Sequence, residues 1–230
     1  MGKVNFDEHA EAYEKTLDKD LEFFGEESSY FAEYKINIVK NTIGSAGSLN
    51  ILEYGCGIGM NIKFFSKHFP NSKVTGCDIS QKSLDVAKKR NNTDVDFFLI
   101  GEEEISKKLN SFDLIFVSCV FHHIEPPLRE QSMKNIFNLL KPNGSFYYFE
   151  HNPYNPVTRH IVNTCVWDTD AILLKPKESL GLINKSGFKI ENKRYTLFFP
   201  SFLKFLRFTE GILFFLPLGG QYYIKAKKSL

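Results

Sequence analysis

The segment "ILEYGCGIGMN", residues 51–61, carries three glycines at alternate positions directly after a short apolar run. The apolar run predicts a strand, and "MNIKFFSKHF", residues 60–69, predicts a helix. Glycine is needed where a turn is tight and where a side chain would collide with a ligand. A strand, a glycine turn and a helix in this order predict a ligand site at the carboxyl end of a parallel sheet.

Strands and helices alternate on both sides of this segment. Further strands are predicted at residues 73–79, 95–101, 112–120 and 145–151, with helices at 81–90 and 128–140 between them. The late segments 188–199 and 221–228 are strands that can pair antiparallel at the sheet edge. The pattern predicts an α/β, Rossmann-like fold with a seven-stranded, mostly parallel sheet, an antiparallel last strand and helices on both faces.

We expect one domain over residues 1–230, because the chain has no internal repeat and no low-complexity linker. Residues 1–45 would form a helical lid, 46–152 a cofactor-binding core, and 153–230 a substrate loop followed by the C-terminal strands. Pro153 and Pro156 predict that the substrate loop starts as a rigid, non-helical segment.

Composition excludes several classes of function. The net charge is +2 and no basic run is interleaved with aromatic residues, so nucleic acid is not an expected partner. The start has no apolar signal region, and no stretch of about 20 residues is apolar and free of charge, so we expect a cytoplasmic protein without a transmembrane segment. The four cysteines are far apart, which predicts reduced thiols and neither disulfides nor a zinc site.

Two acidic residues narrow the choice of ligand. A phosphate loop would need Gly-Lys-Ser/Thr, and a dinucleotide fingerprint would need glycine where Met60 stands. Glu53 would repel a pyrophosphate but suits a positively charged ligand. Asp78 ends the next strand and can accept the hydroxyls of a ribose, with Ile79 packed on an adenine. The alternatives are a purely structural glycine turn and, for Asp78, a helix-start acid.

The ordered motifs "LEYGCGIG" (52–59), "GCDIS" (76–80) and "FDLIFVSCVFHHI" (112–124) resemble those of the class I S-adenosylmethionine-dependent methyltransferases. Weaker likeness at "FDEHAEAY" (6–13) and "PLGGQYYIKAKK" (217–228) extends over most of the chain. The resemblance implies S-adenosyl-L-methionine as cofactor, with an ammonium and a sulfonium that suit Glu53, and S-adenosyl-L-homocysteine as product.

The resemblance also implies roles for individual residues. Glu53, Gly55, Gly57 and Gly59 are expected at the methionine part of the cofactor, and Ser118 and Cys119 near its sulfonium. Asp78 is expected at the ribose. Ile79, Gly101 and Glu102 are expected at the adenine. Glu102 stands where the family often has aspartate, so a simple helix-start role is the alternative. Tyr13 of the lid is expected against the cofactor, with Tyr34 and Lys35 as weaker candidates and ordinary helix packing as the alternative.

Candidate catalytic residues follow the fourth and fifth strands. Methyl transfer needs a base only when the acceptor must lose a proton, and His122, His123 and His151 titrate in the useful range. A metal site at His122, His123 and Glu125 is an alternative, but adjacent histidine side chains are expected to diverge. We therefore expect no metal.

The acceptor would lie beside the fifth strand. Glu150, Asn152 and Arg159 are candidate acceptor-binding residues, with loop turn chemistry as the alternative. The aromatic segment 200–218 is expected to be core, with an oligomer contact or a membrane contact as alternatives. The resemblance implies a small-molecule or sugar acceptor, including a surface-glycan precursor, and we expect a monomer or homodimer. A lipid or quinone methyltransferase and a non-catalytic cofactor sensor are the alternatives.

Overall fold

A computed structural model gives the structure of the chain and describes residues 25–44, 47–91 and 94–229. Its sheet has seven strands in the order β3-β2-β1-β4-β5-β7-β6. The strands are β1 (Asn50–Tyr54), β2 (Lys73–Asp78), β3 (Asp96–Leu99), β4 (Phe112–Ser118), β5 (Leu140–His151), β6 (Phe188–Thr196) and β7 (Gln221–Lys228). β7 is antiparallel to both its neighbours and the other six strands are mutually parallel, which confirms the predicted fold class.

Helices connect the parallel strands. They are α1 (Ser28–Thr42), α2 (Ile62–His68), α3 (Gln81–Arg90), α4 (Glu102–Lys107), α5 (Pro126–Leu139), α6 (Pro156–Thr164), α7 (Pro176–Lys185) and α8 (Glu210–Leu213). Short 3-10 segments span Phe121–His123 and Ser201–Thr209. The predicted N-terminal lid falls largely on residues 1–24, which lie outside the described residues, so of that prediction the structure describes only α1 and the residues around it.

The central strands are buried on both faces. Along β4, Leu114 and Phe116 pack into one apolar cluster while Ile115 and Val117 pack into the other. Helix α1 contributes Ile36 to the Phe116 side, and Met133 of α5 contributes to the opposite side. Because both faces are filled, the carboxyl ends of the parallel strands are where a ligand can reach polar groups of the sheet.

One predicted loop is a helix. Residues 156–164 form α6, although Pro153 and Pro156 predicted a non-helical segment. Pro156 stands in the first turn, where its missing N–H costs no hydrogen bond. Asn155 caps the helix, since its side-chain oxygen accepts hydrogen bonds from the backbone N–H groups of Val157 and Thr158 at 2.9 and 3.0 Å.

The aromatic segment 201–218 does not belong to the core. No residue of Ser201–Thr209 or Glu210–Leu213 is buried, so the core interpretation is wrong. Its exposed large apolar side chains are Phe202, Phe205, Phe208, Ile212, Phe215 and Leu218. Across the parts of the chain that the structure describes, no helix has the length and apolar character needed to span a membrane.

Candidate functional site

The glycine turn after β1 lies against the tip of β2. The backbone N–H groups of Gly55 and Cys56 both donate to the carbonyl oxygen of Cys77, at 2.8 and 2.9 Å. Gly55 has φ +75°, and a Cβ built on it would lie 2.5 Å from Cγ2 of Val120. Gly57 also has positive φ, but a Cβ there would meet no atom within 4 Å. The turn is therefore tight at Gly55 and opens onto free space at Gly57, as a ligand cradle requires.

Glu53 is a buried carboxylate with an incomplete set of partners. The side chain is 2% exposed, and Asn61 Nδ2 donates to its Oε1. Its Oε2 is also buried and has no hydrogen-bond partner among the described residues. Burial raises the pKa of Glu53 to about 8, against the lowering effects of Asn61 and Lys35. A buried carboxylate oxygen without a partner fits a cationic ligand group that would complete it.

Asp78 joins the glycine turn to the next βα connection. Its Oδ2 accepts from the N–H of Gly57 at 2.8 Å and its Oδ1 accepts from the N–H of Ser80 at 3.0 Å. Ser80 itself caps α3 through the N–H of Ser83, so Asp78 is not needed for that task. Ile79 beside it is 68% exposed, an unusual position for a large apolar residue and one that offers a flat contact to a ligand.

The tip of β3 lies next to Asp78. The N–H of Ile100 donates to the carbonyl oxygen of Asp78 at 2.8 Å, which brings Gly101 and Glu102 to the same edge of the sheet. Both residues are exposed, and Glu102 is the first residue of α4. The location is compatible with either of the roles predicted for Glu102.

Lys35 of α1 is a cation on the same side of the sheet. Its Nζ donates to Ser118 Oγ, at the end of β4, at 2.6 Å, and its side chain is buried. Its charge lowers the pKa values of both Glu53 and Cys119. The sequence carries a signal for this placement, because residues 32, 35, 36 and 39 follow the helical spacing of a buried face.

Cys119 follows β4 in a left-handed backbone conformation with φ +57°. Gln221 Nε2 donates to its Sγ at 3.4 Å, and Gln221 Oε1 is buried without a partner among the described residues. Burial would raise the pKa of the Cys119 thiol, but the nearby His151 and Lys35 outweigh it and lower the pKa to about 7. This group of side chains gives the end of β4 a polar surface.

The similarity to a known protein family covers the strands and turns that form this site. A family model described as a methyltransferase domain matches residues 51–144, from β1 into β5. The match includes the glycine turn, Asp78 and the residues after β4. Residues 51–144 therefore form a methyltransferase domain of the class I S-adenosylmethionine-dependent type. The cofactor of this family is S-adenosylmethionine.

The chain is similar to enzymes with different named acceptors. It is 31% identical over 106 residues to malonyl-(acyl-carrier protein) O-methyltransferase 1 of Ilyobacter polytropus, covering 46% of this chain and 39% of the relative. It is 26% identical over 148 residues to thiol S-methyltransferase TMT1B of Rattus norvegicus, covering 62% and 54%. The chain thus spans about half the length of the curated relatives that it matches.

A solved structure shares the whole architecture. A methyltransferase of Thermotoga maritima, described as a possible histamine N-methyltransferase, aligns with TM-score 0.66 at 20% identity. The alignment covers 97% of this chain and 98% of that one. At this identity the likeness establishes a common fold.

Glu150 lies completely inside the protein. Its Oε1 accepts from the N–H groups of Val120 and Phe121 at 3.1 and 2.8 Å, and its Oε2 lies 2.7 Å from Nδ1 of His122. With no exposed surface, Glu150 fixes the turn after β4, and His122 at 1% exposure is fixed with it. His151 lies beside this pair, with its ring centroid 5.0 Å from that of His122.

The remaining predicted site residues lie in different environments. Asn152 is buried, and its Nδ2 donates to the carbonyl oxygens of Pro217 and Gly219, so the structure places it in a loop junction. Arg159 is exposed on α6. Tyr13 lies outside the described residues.

The two adjacent histidines do not diverge as expected. Nε2 of His122 lies 3.4 Å and Nε2 of His123 lies 3.3 Å from the same oxygen, Oδ1 of Asp168. The 3-10 conformation of residues 121–123 brings their ring centroids to 4.1 Å and so permits the convergence. Asp168 was missed because it follows α6, far along the chain, and no local pattern marks it.

Proposed function

We propose that this chain transfers the methyl group of S-adenosylmethionine to a small polar molecule and releases S-adenosylhomocysteine. The observation that carries the proposal is the buried, unpartnered Oε2 of Glu53 at the edge of an open glycine turn. Glu53 would hold the ammonium of the methionine part, and Lys35 would hold its carboxylate. A zwitterionic amino acid needs one anion and one cation, and these two residues are buried near the same strand ends.

The remaining cofactor would follow the sheet edge from β1 towards β3. Asp78 would accept the ribose hydroxyls, and Ile79, Gly101 and Glu102 would border the adenine. Support comes from the exposed Ile79 and from the hydrogen bond that holds the β3 tip against Asp78. The cofactor would supply an activated methyl group, while the chain contributes alignment, which can lower a barrier by up to about 7–11 kcal/mol.

The acceptor would lie beyond β4, near Ser118 and Cys119. Gln221 offers a buried oxygen there without a partner among the described residues, which suits a donor such as a hydroxyl or an amine. A sugar or surface-glycan precursor carries several such donors. The relatives named above act on other acceptors, so this assignment rests on the polar character of the site.

His151 is the proposed proton acceptor when the acceptor is a hydroxyl. It lies next to Cys119, at the strand end where the methyl group would be delivered. His122 is enclosed by Glu150 and Asp168 and would position the turn. His151→Asn should abolish turnover with a hydroxyl acceptor while cofactor affinity stays within about twofold, whereas unchanged turnover would remove His151 from the mechanism.

A lipid or quinone acceptor is the second candidate, and the exposed aromatic segment favours it. The hydrophobic side chains of residues 201–218 would rest on a membrane surface, with the exposed Lys204 among them. Flotation with anionic liposomes tests this candidate, with Phe205→Ser/Phe208→Ser as the variant and exposed Val166→Ser as the matched control. Absence of flotation at low salt for the unmodified chain would exclude the lipid candidate.

Turnover separates the enzyme from a cofactor sensor. Release of S-adenosylhomocysteine should follow addition of an acceptor drawn from a panel of sugars, nucleotide sugars, thiols and lipids. Binding of the cofactor without product release across the whole panel would favour a non-catalytic sensor.

A further inference from the structure

Three potential metal ligands converge outside the proposed cofactor groove. One ring nitrogen of His122, one of His123 and a carboxylate oxygen of Asp168 all lie within 4.8 Å of one another. The two nitrogen–oxygen distances, 3.4 and 3.3 Å, exceed the usual 2.7–3.2 Å of an N–H···O hydrogen bond. They match the roughly 3.3–3.4 Å ligand separation of a tetrahedral ion with bonds of about 2.0–2.1 Å.

A carboxylate also lies beside the second ring nitrogen of each histidine. Nδ1 of His122 lies 2.7 Å from Oε2 of Glu150, which leaves Nε2 of that ring turned towards Asp168. Nδ1 of His123 lies 3.7 Å from Oδ1 of Asp170, which is an ion-pair distance and too long for a hydrogen bond. Histidines that bind metals commonly donate their second ring nitrogen to a carboxylate, as the contact of His122 with Glu150 allows. The arrangement extends beyond three adjacent ligands to the groups that would hold them in place.

Charge and shielding favour a divalent cation at the same point. Three carboxylates, from Glu150, Asp168 and Asp170, surround two imidazole rings. His122 is 1% exposed, and the side chains of His123 and Asp168 are 18% and 11% exposed. Carboxylates in a compact, mostly buried cluster are stabilised by a bound cation more than those of an exposed acidic cluster would be.

We propose that His122, His123 and Asp168 bind a divalent transition metal, with Zn²⁺ the best match. Two imidazoles and one carboxylate are a ligand set that Zn²⁺ accepts with a fourth position left open. The site lies beside His151 and is formed by the turn after β4 and the segment after α6. It stands independently of the proposed methyl transfer, because none of its ligands is assigned to the cofactor.

Metal binding by the full chain tests the proposal. Protein stripped with a chelator, then incubated with Zn²⁺ and dialysed, should retain about one equivalent by elemental analysis. Co²⁺ in its place should give visible absorption of a tetrahedral site. His123→Ala and Asp168→Asn should each weaken Zn²⁺ binding by at least about 100-fold. His160→Ala, an exposed histidine on α6, is the matched control and should bind as the unmodified chain does.

The outcomes are distinguishable from failure of the methyltransferase assignment. Circular dichroism and cofactor titration on the same samples report whether each variant is folded, and Asp168→Asn serves if His123→Ala does not fold. Less than about one-tenth of an equivalent of Zn²⁺ on folded, cofactor-binding protein would overturn the metal site alone. Full retention of Zn²⁺ by folded Asp168→Asn would overturn it as well, since the ion would then be bound elsewhere.

Discussion

Glu53 should make the affinity for the cofactor depend on pH. Its pKa of about 8 means that the free protein holds a proton on this carboxyl group at neutral pH. An ammonium ligand needs the carboxylate, so S-adenosylhomocysteine should bind more tightly as pH rises from about 6 to 8, by up to tenfold per unit. Calorimetric titration at several pH values measures this.

The variant Glu53→Gln serves as the control for that pH dependence. It should bind S-adenosylhomocysteine at least about tenfold more weakly at pH 8 and with little change towards pH 6, because the amide does not titrate. A dissociation constant of the unmodified chain that is constant over this interval would contradict the role given to Glu53.

The same residue affects the stability of the cofactor-free protein. The folded-state pKa of Glu53 is raised, so the folded chain binds a proton that the unfolded chain releases above its ordinary pKa of 4.5. This contribution to the free energy of unfolding is complete below pH 4.5 and is lost as pH rises through about 8. Urea denaturation of the unmodified chain and Glu53→Gln isolates it, and an identical pH dependence for the two would contradict the shift.

The turn after β1 depends on the absence of a side chain at Gly55. Gly55→Ala should be strongly destabilising, because its Cβ would lie 2.5 Å from Val120 and its φ is +75°. In a Val120→Ala background the contacts at 2.5 and 2.9 Å disappear and the Cβ of residue 120 remains at 3.3 Å, so mainly the conformational cost of about 1–2 kcal/mol should remain. Thermal denaturation of the four proteins in this cycle gives the coupling between the two positions.

Gly101→Ala is the matched control for the turn. Gly101 has extended backbone, and a Cβ there meets no atom within 4 Å, so its substitution should change the free energy of unfolding by less than about 0.5 kcal/mol. Equal losses of stability for Gly55→Ala and Gly101→Ala would contradict the predicted clash between a Cβ at position 55 and Val120.

The connection between β4 and β5 depends on Glu150. Removing this carboxylate leaves the N–H groups of Val120 and Phe121 and the ring of His122 without their acceptor. Glu150→Ala should therefore lower the free energy of unfolding by about 3–5 kcal/mol. Glu130→Ala, which breaks exposed ion pairs with Lys134 of α5 and Lys185 of α7, should cost less than about 1 kcal/mol. Urea denaturation compares them, and a loss below about 1 kcal/mol for Glu150→Ala would be inconsistent with this role.

Across the whole molecule, the alternation of apolar strands with helices was sufficient to predict the sheet and its antiparallel last strand. Continuous burial of β4 on both faces produces an unambiguous sequence pattern. Residues 156–164 were predicted incorrectly because proline is compatible with both a loop and the first turn of a helix. The aromatic segment was predicted incorrectly because exposed and buried apolar stripes have the same periodicity.

The candidate site could be predicted only in part, because some of its residues are far apart in the sequence. The residues at the strand tips, such as Glu53 and Asp78, follow directly from the parallel order of the strands. Asp168 and Gln221 reach the site from distant parts of the chain, so only the folded structure brings them to His122 and Cys119. The pairing of Lys35 with Ser118 could not be predicted, because the two residues lie on elements far apart in the sequence.

Calorimetric titration of the full chain with S-adenosylhomocysteine, for the unmodified protein, Asp78→Ala and the control Asp85→Ala on α3, tests the central claim most directly. We expect one site per chain, a loss of affinity of at least about 100-fold in Asp78→Ala, and no change in Asp85→Ala, whose side chain is exposed. No binding by the unmodified chain, or equal binding by folded Asp78→Ala, would contradict the assignment of this groove to the cofactor.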